Sequence, residues 1–236
     1  MIKVEHAEVY GWEAAIRGMR NPLNSWDKSD TVYGLGEDLY ADMRIGKNDL
    51  ALMKKLSKAG SDHSKFLRMI NVTADILAPR YWWTEYDTYK VGTVANSCST
   101  MHKIHDKEFT LEDFSFDQLL NTDCDLFGVA SMDGVTITAV QPIHFLHNYI
   151  IPSLNVCREK YLKTKNKDYW WQMIQLLPQS YNQKRTVQLN YQVLKSMYHA
   201  RKNHKLDEWR EFCKWIETLP YSEIITNPTK EVGAND

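Results

Sequence analysis

The chain has 236 residues, 43% of them hydrophobic, with 29 basic and 30 acidic side chains and a formal net charge of -1. This excludes a disordered or fibrous protein and fits one domain or two small ones, while the balanced charge gives no general electrostatic case for binding nucleic acid or a membrane surface. The unusual numbers are 8 Trp and 13 Tyr beside only 10 Gly, because so many rings must pack together, line a pocket or form a subunit interface.

Residues 1–6 lack the basic flank and apolar run of a secretory signal, and no stretch reaches the roughly 18 uninterrupted apolar residues of a membrane span. A cytoplasmic protein with no membrane partner is expected. Cys98, Cys124, Cys157 and Cys213 are widely spaced with no Cys-x-x-Cys pair, the pattern of reduced structural thiols.

In chain order, Ile2 to Val9 alternates as an opening strand, and Trp12 to Met19 has apolar residues at helical spacing. Residues 20–46 read as loop, with Gly34-x-Gly36 as a turn, since no third glycine or preceding strand makes it a phosphate cradle. Asn48 to Ala59 reads as a helix capped by Asn48 and ended by Gly60, with Leu50, Met53 and Leu56 facing inward. A short helix over 63–69 precedes a β-branched strand over 70–77. Pro79 then opens a helix to about Tyr89 that carries Tyr81, Trp82, Trp83 and Tyr86.

Gly92 to Thr100 reads as a loop of small polar residues. Residues 106–125, with seven acidic side chains and one Lys, suggest a solvated, partly helical excursion. Val135 to Val140 fits either a strand or the first turns of a long helical segment to about Lys163, interrupted at Pro142 and Pro152. Tyr169 to Leu177 is a short aromatic helix stopped by Pro178. A strand over 186–191, a helix over 192–202 and a last amphipathic helix over 206–218 follow, and residues 228–236 form a polar, frayed tail. With no repeat or Gly/Ser-rich linker, residues 1–227 are expected to form a single α+β domain, a mixed sheet with long helices.

No residue set makes a compelling metal site. His102/His105 and His144/His147 have helical i, i+3 spacing, but only Asp106 offers a third ligand, so satisfied or partly exposed histidines are expected. No Gly-x-Ser-x-Gly elbow supports a serine hydrolase. More promising is the aromatic helix running into a loop rich in Thr, Ser and Asn beside Lys90, whose hydroxyls, amides and cation suit a phosphate; the alternative is a turn whose hydroxyls satisfy local backbone.

The order Asp62-His63, strand, Ala78-Pro79, aromatic helix with Glu85, Thr88-Tyr89-Lys90 and the loop Thr93 to Thr100 resembles the flavin-dependent thymidylate synthase family. So does the later order Leu177-Pro178, Thr186, Asn190-x-Gln192-x-Leu194 and Arg201, where an Asn is followed eleven residues on by an Arg. Glu85 stands where that family has Gln, and Thr88-Tyr89-Lys90 where it has Arg-His-Arg, so two guanidinium forks give way to one ammonium that cannot bind bidentately. The nucleotide-binding Ser of the family falls at Cys98, flanked by Ser97 and Ser99, and Gln192 replaces an Arg.

The resemblance implies an α+β fold of that type and a homotetramer with active sites between subunits. It implies FAD reduced by NADPH, with a pyrimidine nucleotide and a folate as substrates, in a reference conversion of dUMP to dTMP. The residues it assigns to substrate are Glu85, Lys90, Ser97, Cys98, Ser99 and Arg201, the last polarising the pyrimidine carbonyl as the catalytic group; for Arg201 the alternative is a cation favoured by the helix C-terminus. To the cofactor it assigns His63, Thr88, Tyr89, Lys90, Asn96, Asn190, Gln192 and Ser196. The departures also allow a relative with changed substrate or cofactor, or a non-catalytic nucleotide-binding or assembly protein. The clusters Tyr81 to Tyr89 and Tyr169 to Trp171 are expected to form pocket wall and subunit contact, with core packing as the alternative for Trp170 and Trp171.

Overall fold

The computed structural model describes residues 2–33, 43–122, 128–130 and 137–226, without side chains at 128–130 and 137–139. Gly34, Gly36, Cys124 and the tail from 228 lie outside the described residues. The elements are β1 (Lys3–Tyr10), α1 (Trp12–Arg20), α2 (Lys47–Lys58), β2 (Asn71–Pro79), α3 (Arg80–Tyr86), β3 (Thr93–Ser97), α4 (Thr100–Lys103), β4 (Gly128–Ala130), β5 (Ile137–Ala139), α5 (Pro142–Phe145), α6 (Ile151–Thr164), α7 (Lys167–Leu176), β6 (Asn182–Asn190), α8 (Tyr191–Arg201), α9 (Asp207–Thr218) and α10 (Glu223–Thr226). Four strands form a sheet in the order β1-β2-β6-β3, and β4 pairs antiparallel with β5. Packing divides the described chain into two compact units, one of Ile2–Ile76, Tyr86–Asn96 and the chain from Thr186 onward, the other of Leu77–Glu85 and Ser97–Arg185.

In the first unit, strand alternation is literal: Val72, Ala74 and Ile76 are buried while Asn71, Thr73 and Asp75 are half-exposed. Asp75 Oδ1 accepts from Thr186 Oγ1 at 2.6 Å, and the Ile70 carbonyl accepts from the Tyr191 amide at 2.9 Å, which fixes β2 against β6 in one antiparallel register. Trp12, Tyr191 and Tyr221 meet edge to face at 5.2 and 5.4 Å, and α9 buries Trp209, Phe212 and Ile216.

Residues 20–33, read as loop, are held by a buried ion pair. Arg20 Nε donates to Asp49 Oδ1 at 2.7 Å, and its remaining nitrogens donate to the carbonyls of Ser25 and Lys28. Asp49 Oδ2 accepts from Ser29 Oγ at 2.8 Å and Thr31 Oγ1 at 2.6 Å. The expected cap of α2 was misplaced: Asn48 is the second helical residue, and the capping group is Asp30, whose carboxylate accepts from the amides of Asn48 and Asp49 at 2.9 and 3.0 Å. Met53 faces inward as expected, Leu50 and Leu56 are half-buried, and Asp49 and Ser57 join Met53 on the buried face.

The second unit packs Ile104, Phe109, Phe114, Leu146, Leu154 and Met173 into one core. The acidic stretch is mostly exposed over its described part, with a helical turn at Leu111–Asp113, but Phe109 and Phe114 anchor it in this core, and Asn155 of α6 clamps Phe109 by accepting from its amide and donating to its carbonyl. Residues 137–139 form a strand, settling the alternative read at Val135 to Val140. Pro142 opens α5, and residues Leu146–Ile150 wind as a π turn into α6, because Pro152 has no N–H to offer the preceding turn. The aromatic helix α3 is core rather than pocket wall: Trp82 and Trp83 are fully buried, stacked edge to face at 4.9 Å, and Arg185 lies over the Trp83 ring at 4.2 Å. On α7, Trp170 is half-buried and donates to the Met101 carbonyl at 3.1 Å, whereas Trp171 is 41% exposed. Among the described residues, no helix is long and apolar enough to cross a membrane.

Asp49 carries the sharpest stability prediction. Burial raises its carboxyl, but hydrogen bonds from Thr31, Ser29 and Arg20 and the Arg20 charge lower it further, leaving it below the usual carboxylate range. A carboxyl lowered on folding stabilises fully above its unfolded value of about 4, and that contribution is lost as pH falls through the folded value. Asp49→Ala strands a buried guanidinium and is expected to lower unfolding free energy by about 3–5 kcal/mol at pH 7 in urea titration. The gap between Asp49→Ala and the parent protein closes on acidification.

Candidate functional site

The first unit contains a cavity of about 430 Å³ at the junction of two chain segments. One wall is Thr88, Tyr89, Val91 and Gly92, from the turn between α3 and β3; the other is Asn190, Gln192, Val193 and Ser196, from the start of α8, with Arg68 completing the lining. The volume lies within the roughly 300–1,000 Å³ range of small-molecule sites.

Local chemistry builds each wall. Gly92 has φ +84°, a left-handed conformation that L side chains rarely adopt, and a Cβ there would lie 3.1 Å from both Asn190 Nδ2 and Val193 Cγ2. Glycine meets both demands of the turn, the positive φ and the close approach to α8. Asn190 ends β6 in extended conformation and caps α8, its Oδ1 accepting from the Val193 amide at 3.0 Å. With Oδ1 committed to the cap, Nδ2 is left beside Gly92 at the cavity wall. Gln192 is held from behind by buried Ser64, whose hydroxyl donates to Gln192 Oε1 at 2.9 Å. The Ser196 hydroxyl donates to the Gln192 carbonyl at 3.1 Å.

Behind the first wall lies Arg201, half-buried at the C-terminus of α8. Its Nε donates to Tyr89 Oη at 3.0 Å, Nη1 lies 2.9 Å from His204 Nε2, and the guanidinium carbon sits 5.0 Å from the Trp209 ring centroid. Tyr89 and Trp209 meet edge to face at 6.0 Å. Arg201 is thus fixed by a phenol and an indole and is not itself among the residues lining the cavity.

The other expected residues fall elsewhere. His63, Lys90 and Asn96 are exposed and do not line this cavity, although Ser64, next to His63, reaches Gln192. Ser97, Cys98 and Ser99 lie in the second unit, with Glu85, which is half-exposed. The polar loop is an edge strand: residues 93–97 form β3, and the Cys98 amide donates to the Lys184 carbonyl at 2.9 Å. Ser99 caps the single turn of α4, accepting from the His102 amide at 3.0 Å, so its hydroxyl serves local backbone as the alternative reading had it. Cys98 and Ser99 line a second cavity, of about 470 Å³, with Thr100, Lys103 and Lys107. Lys103 pairs with Asp106 at 3.0 Å and Lys107 with Asp113, which leaves that wall electrically mixed. Sequence reasoning missed Arg68, Val91, Gly92 and Val193; Gly92, in a turn directly after Lys90, carried the strongest available signal.

Among the described residues no three His, Cys, Asp or Glu side chains converge as a metal site. His105 packs against Tyr161 at 4.9 Å, and His147 Nδ1 lies 2.8 Å from Asn148 Oδ1. Cys213 is buried, and burial together with Glu217 pushes its thiol up to about 12, which suits an inert core residue.

No protein-family model matches the sequence, and no curated protein matches it. Solved structures do. Flavin-dependent thymidylate synthase ThyX from Helicobacter pylori, complexed with FAD and dUMP, superposes with a TM-score of 0.62 at 16% identity, covering 97% of this chain and 99% of that one. A second structure of the Helicobacter pylori protein with FAD and dUMP gives 0.63 at 15% identity, covering 96% and 97%. The UMP/dUMP methylase PolB from Streptomyces cacaoi, bound with 5-Br dUMP, gives 0.55 at 14% identity, covering 94% and 93%.

The dual use of Asn190 is separable by mutation. Asn190→Ala is expected to lower stability by about 1 kcal/mol through loss of the cap. Asn190→Asp keeps a capping oxygen at a helix N-terminus and stays within about 0.5 kcal/mol of the parent in the same urea titration, while removing the cavity-side amide. From its elements, their order and these superpositions, the chain has the α+β fold of the flavin-dependent thymidylate synthases.

Proposed function

We propose that this protein is a flavin-dependent enzyme acting on a pyrimidine deoxynucleotide, with conversion of dUMP to dTMP by a folate carbon donor and NADPH as the reference reaction. One observation carries the reading. Thr88 and Tyr89, and Asn190, Gln192 and Ser196, are about a hundred positions apart in sequence, yet the five residues line a single cavity. The family resemblance assigns all five to the cofactor. The three neighbours, crystallised with FAD and dUMP or with a bromo-dUMP, support the same ligand classes.

The donor set fits part of a flavin nucleotide. Three hydroxyls and two carboxamides suit ribityl hydroxyls, phosphate oxygens or a heterocycle edge, Arg68 supplies a cation, and Val91 and Val193 supply apolar surface for a planar ring. A bound flavin would supply the two-electron chemistry that side chains lack. The chain's own share is orientation and charge: Asn190 and Gln192, each held by a hydrogen bond on its oxygen, present pre-set donors, and Arg201 brings a fixed positive charge behind Tyr89. By the same resemblance, the loop Ser97 to Ser99 is assigned to the nucleotide phosphate.

A second reading has its own support. Arg68 is the only cation among the described residues lining the cavity, where the family pattern supplies an Arg-His-Arg at Thr88-Tyr89-Lys90. A wall with this single cation favours a relative with altered cofactor, or a nucleotide-binding protein without catalysis. The two separate cleanly. The flavin enzyme is expected to retain added FAD, read as visible absorbance after gel filtration, and to gain thermal stability with dUMP, since a ligand that binds only the native state raises its unfolding midpoint. A colourless protein stabilised by dUMP supports the altered relative, and a protein indifferent to both removes the nucleotide reading.

A further inference from the structure

Resting on that reading, we infer that Tyr89 is the group that hydrogen-bonds the ligand, donating its hydroxyl proton to a carbonyl oxygen or ring nitrogen of a planar heterocycle in the cavity. Arg201 acts through Tyr89 as a positioning residue. This differs from a direct Arg201 contact with the pyrimidine.

The geometry of the phenol dictates its direction. Arg201 Nε is a donor only, so at 3.0 Å it must give its proton to Tyr89 Oη, and the phenol accepts. Its own hydrogen then needs an acceptor, and among the described residues Tyr89 Oη has none. Tyr89 lines the cavity, whose other polar groups at the wall are Thr88, Asn190, Gln192, Ser196 and Arg68, and Arg201 does not line it. The free donor direction of the phenol is therefore answered by what enters the cavity. A hydroxyl that accepts from a cation is a stronger donor in turn, because charge-assisted and chained hydrogen bonds polarise one another.

The ring is held for this purpose. Tyr89 is fixed edge to face on Trp209, and the Arg201 guanidinium lies over the Trp209 ring at 5.0 Å, so phenol and guanidinium share one aromatic floor. The Tyr89 carbonyl accepts from Thr93 Oγ1 at 3.0 Å, and Gly92 lets the turn close onto α8. This constellation needs a tyrosine where the resembling family has histidine.

The test is a double-mutant cycle on ligand affinity, with FAD and dUMP as separate probes in calorimetric titration. Tyr89→Phe keeps ring and packing and removes only the hydroxyl. It is expected to weaken binding of one probe about two- to tenfold, the range of a single net hydrogen bond. Arg201→Met weakens the same probe in the parent but costs nothing further in Tyr89→Phe, and Arg201→Lys, which keeps a cation behind the phenol, restores part of the loss. Lys also serves as the folding control, since thermal unfolding shows directly whether Met has disturbed the Trp209 contact. Unchanged affinity in Tyr89→Phe overturns the inference, as does a full additional loss on removing Arg201 from Tyr89→Phe. A parent protein that binds neither probe overturns the functional reading itself, which is a distinct result.

Discussion

Asn190 commits the two ends of one carboxamide to different tasks, and the candidate site depends on that division. Oδ1 caps α8, which fixes where the helix begins, and Nδ2 is left at the cavity wall beside Gly92. A Cβ at residue 92 would crowd that amide and Val193 at 3.1 Å, and φ +84° strains any L side chain, so glycine suits the close approach of the turn between α3 and β3 to α8. From this approach follow the nearness of Tyr89 to Arg201, the cavity between the two segments and the placement of Gln192 and Ser196 along its wall. The strand leading to Asn190 is in turn set by its pairing with β2, through Asp75 and Thr186 and through Ile70 and Tyr191.

The aromatic surplus divides into separate roles. Trp82 and Trp83 are core in one unit, and Trp12, Tyr191, Trp209 and Phe212 are core in the other. Tyr89 lines the first cavity while leaning on the core through Trp209. A rigid aromatic floor beneath a phenol and a guanidinium gives a donor array that requires little reorganisation on binding, the condition under which hydrogen bonds contribute most to a site.

Much of the fold was legible in the sequence where burial leaves a period. The β-branched alternation of β2, the amphipathic α1 and α9 and the Pro-bounded helices all left such a trace. The edge strand β3 did not, because Thr93 to Ser97 is exposed along most of its length and a strand without a buried face has no alternation to read. Nor did the cap of α2, since Asp30 reaches that helix from a distant turn. The anchoring of the acidic stretch was not legible, because its charges outnumber the two phenylalanines, Phe109 and Phe114, that tie it to a core. Of the candidate site, Thr88, Tyr89, Asn190, Gln192 and Ser196 were legible only through resemblance at matching offsets; spacing alone gave no reason to join two segments so far apart. Arg68 and Gly92 had no motif to mark them, and the phenol between Arg201 and the cavity is a tertiary fact that no local pattern carries.

The central claim is that the turn over residues 86–92 and the start of α8 form one ligand site. Amide hydrogen exchange, compared with and without FAD, tests it most directly, because a ligand seated between two segments must slow local opening in both. The account predicts added protection in residues 86–92 and 190–196 together, at the same FAD concentration. Protection confined to other segments, or FAD retained with neither stretch protected, would contradict it.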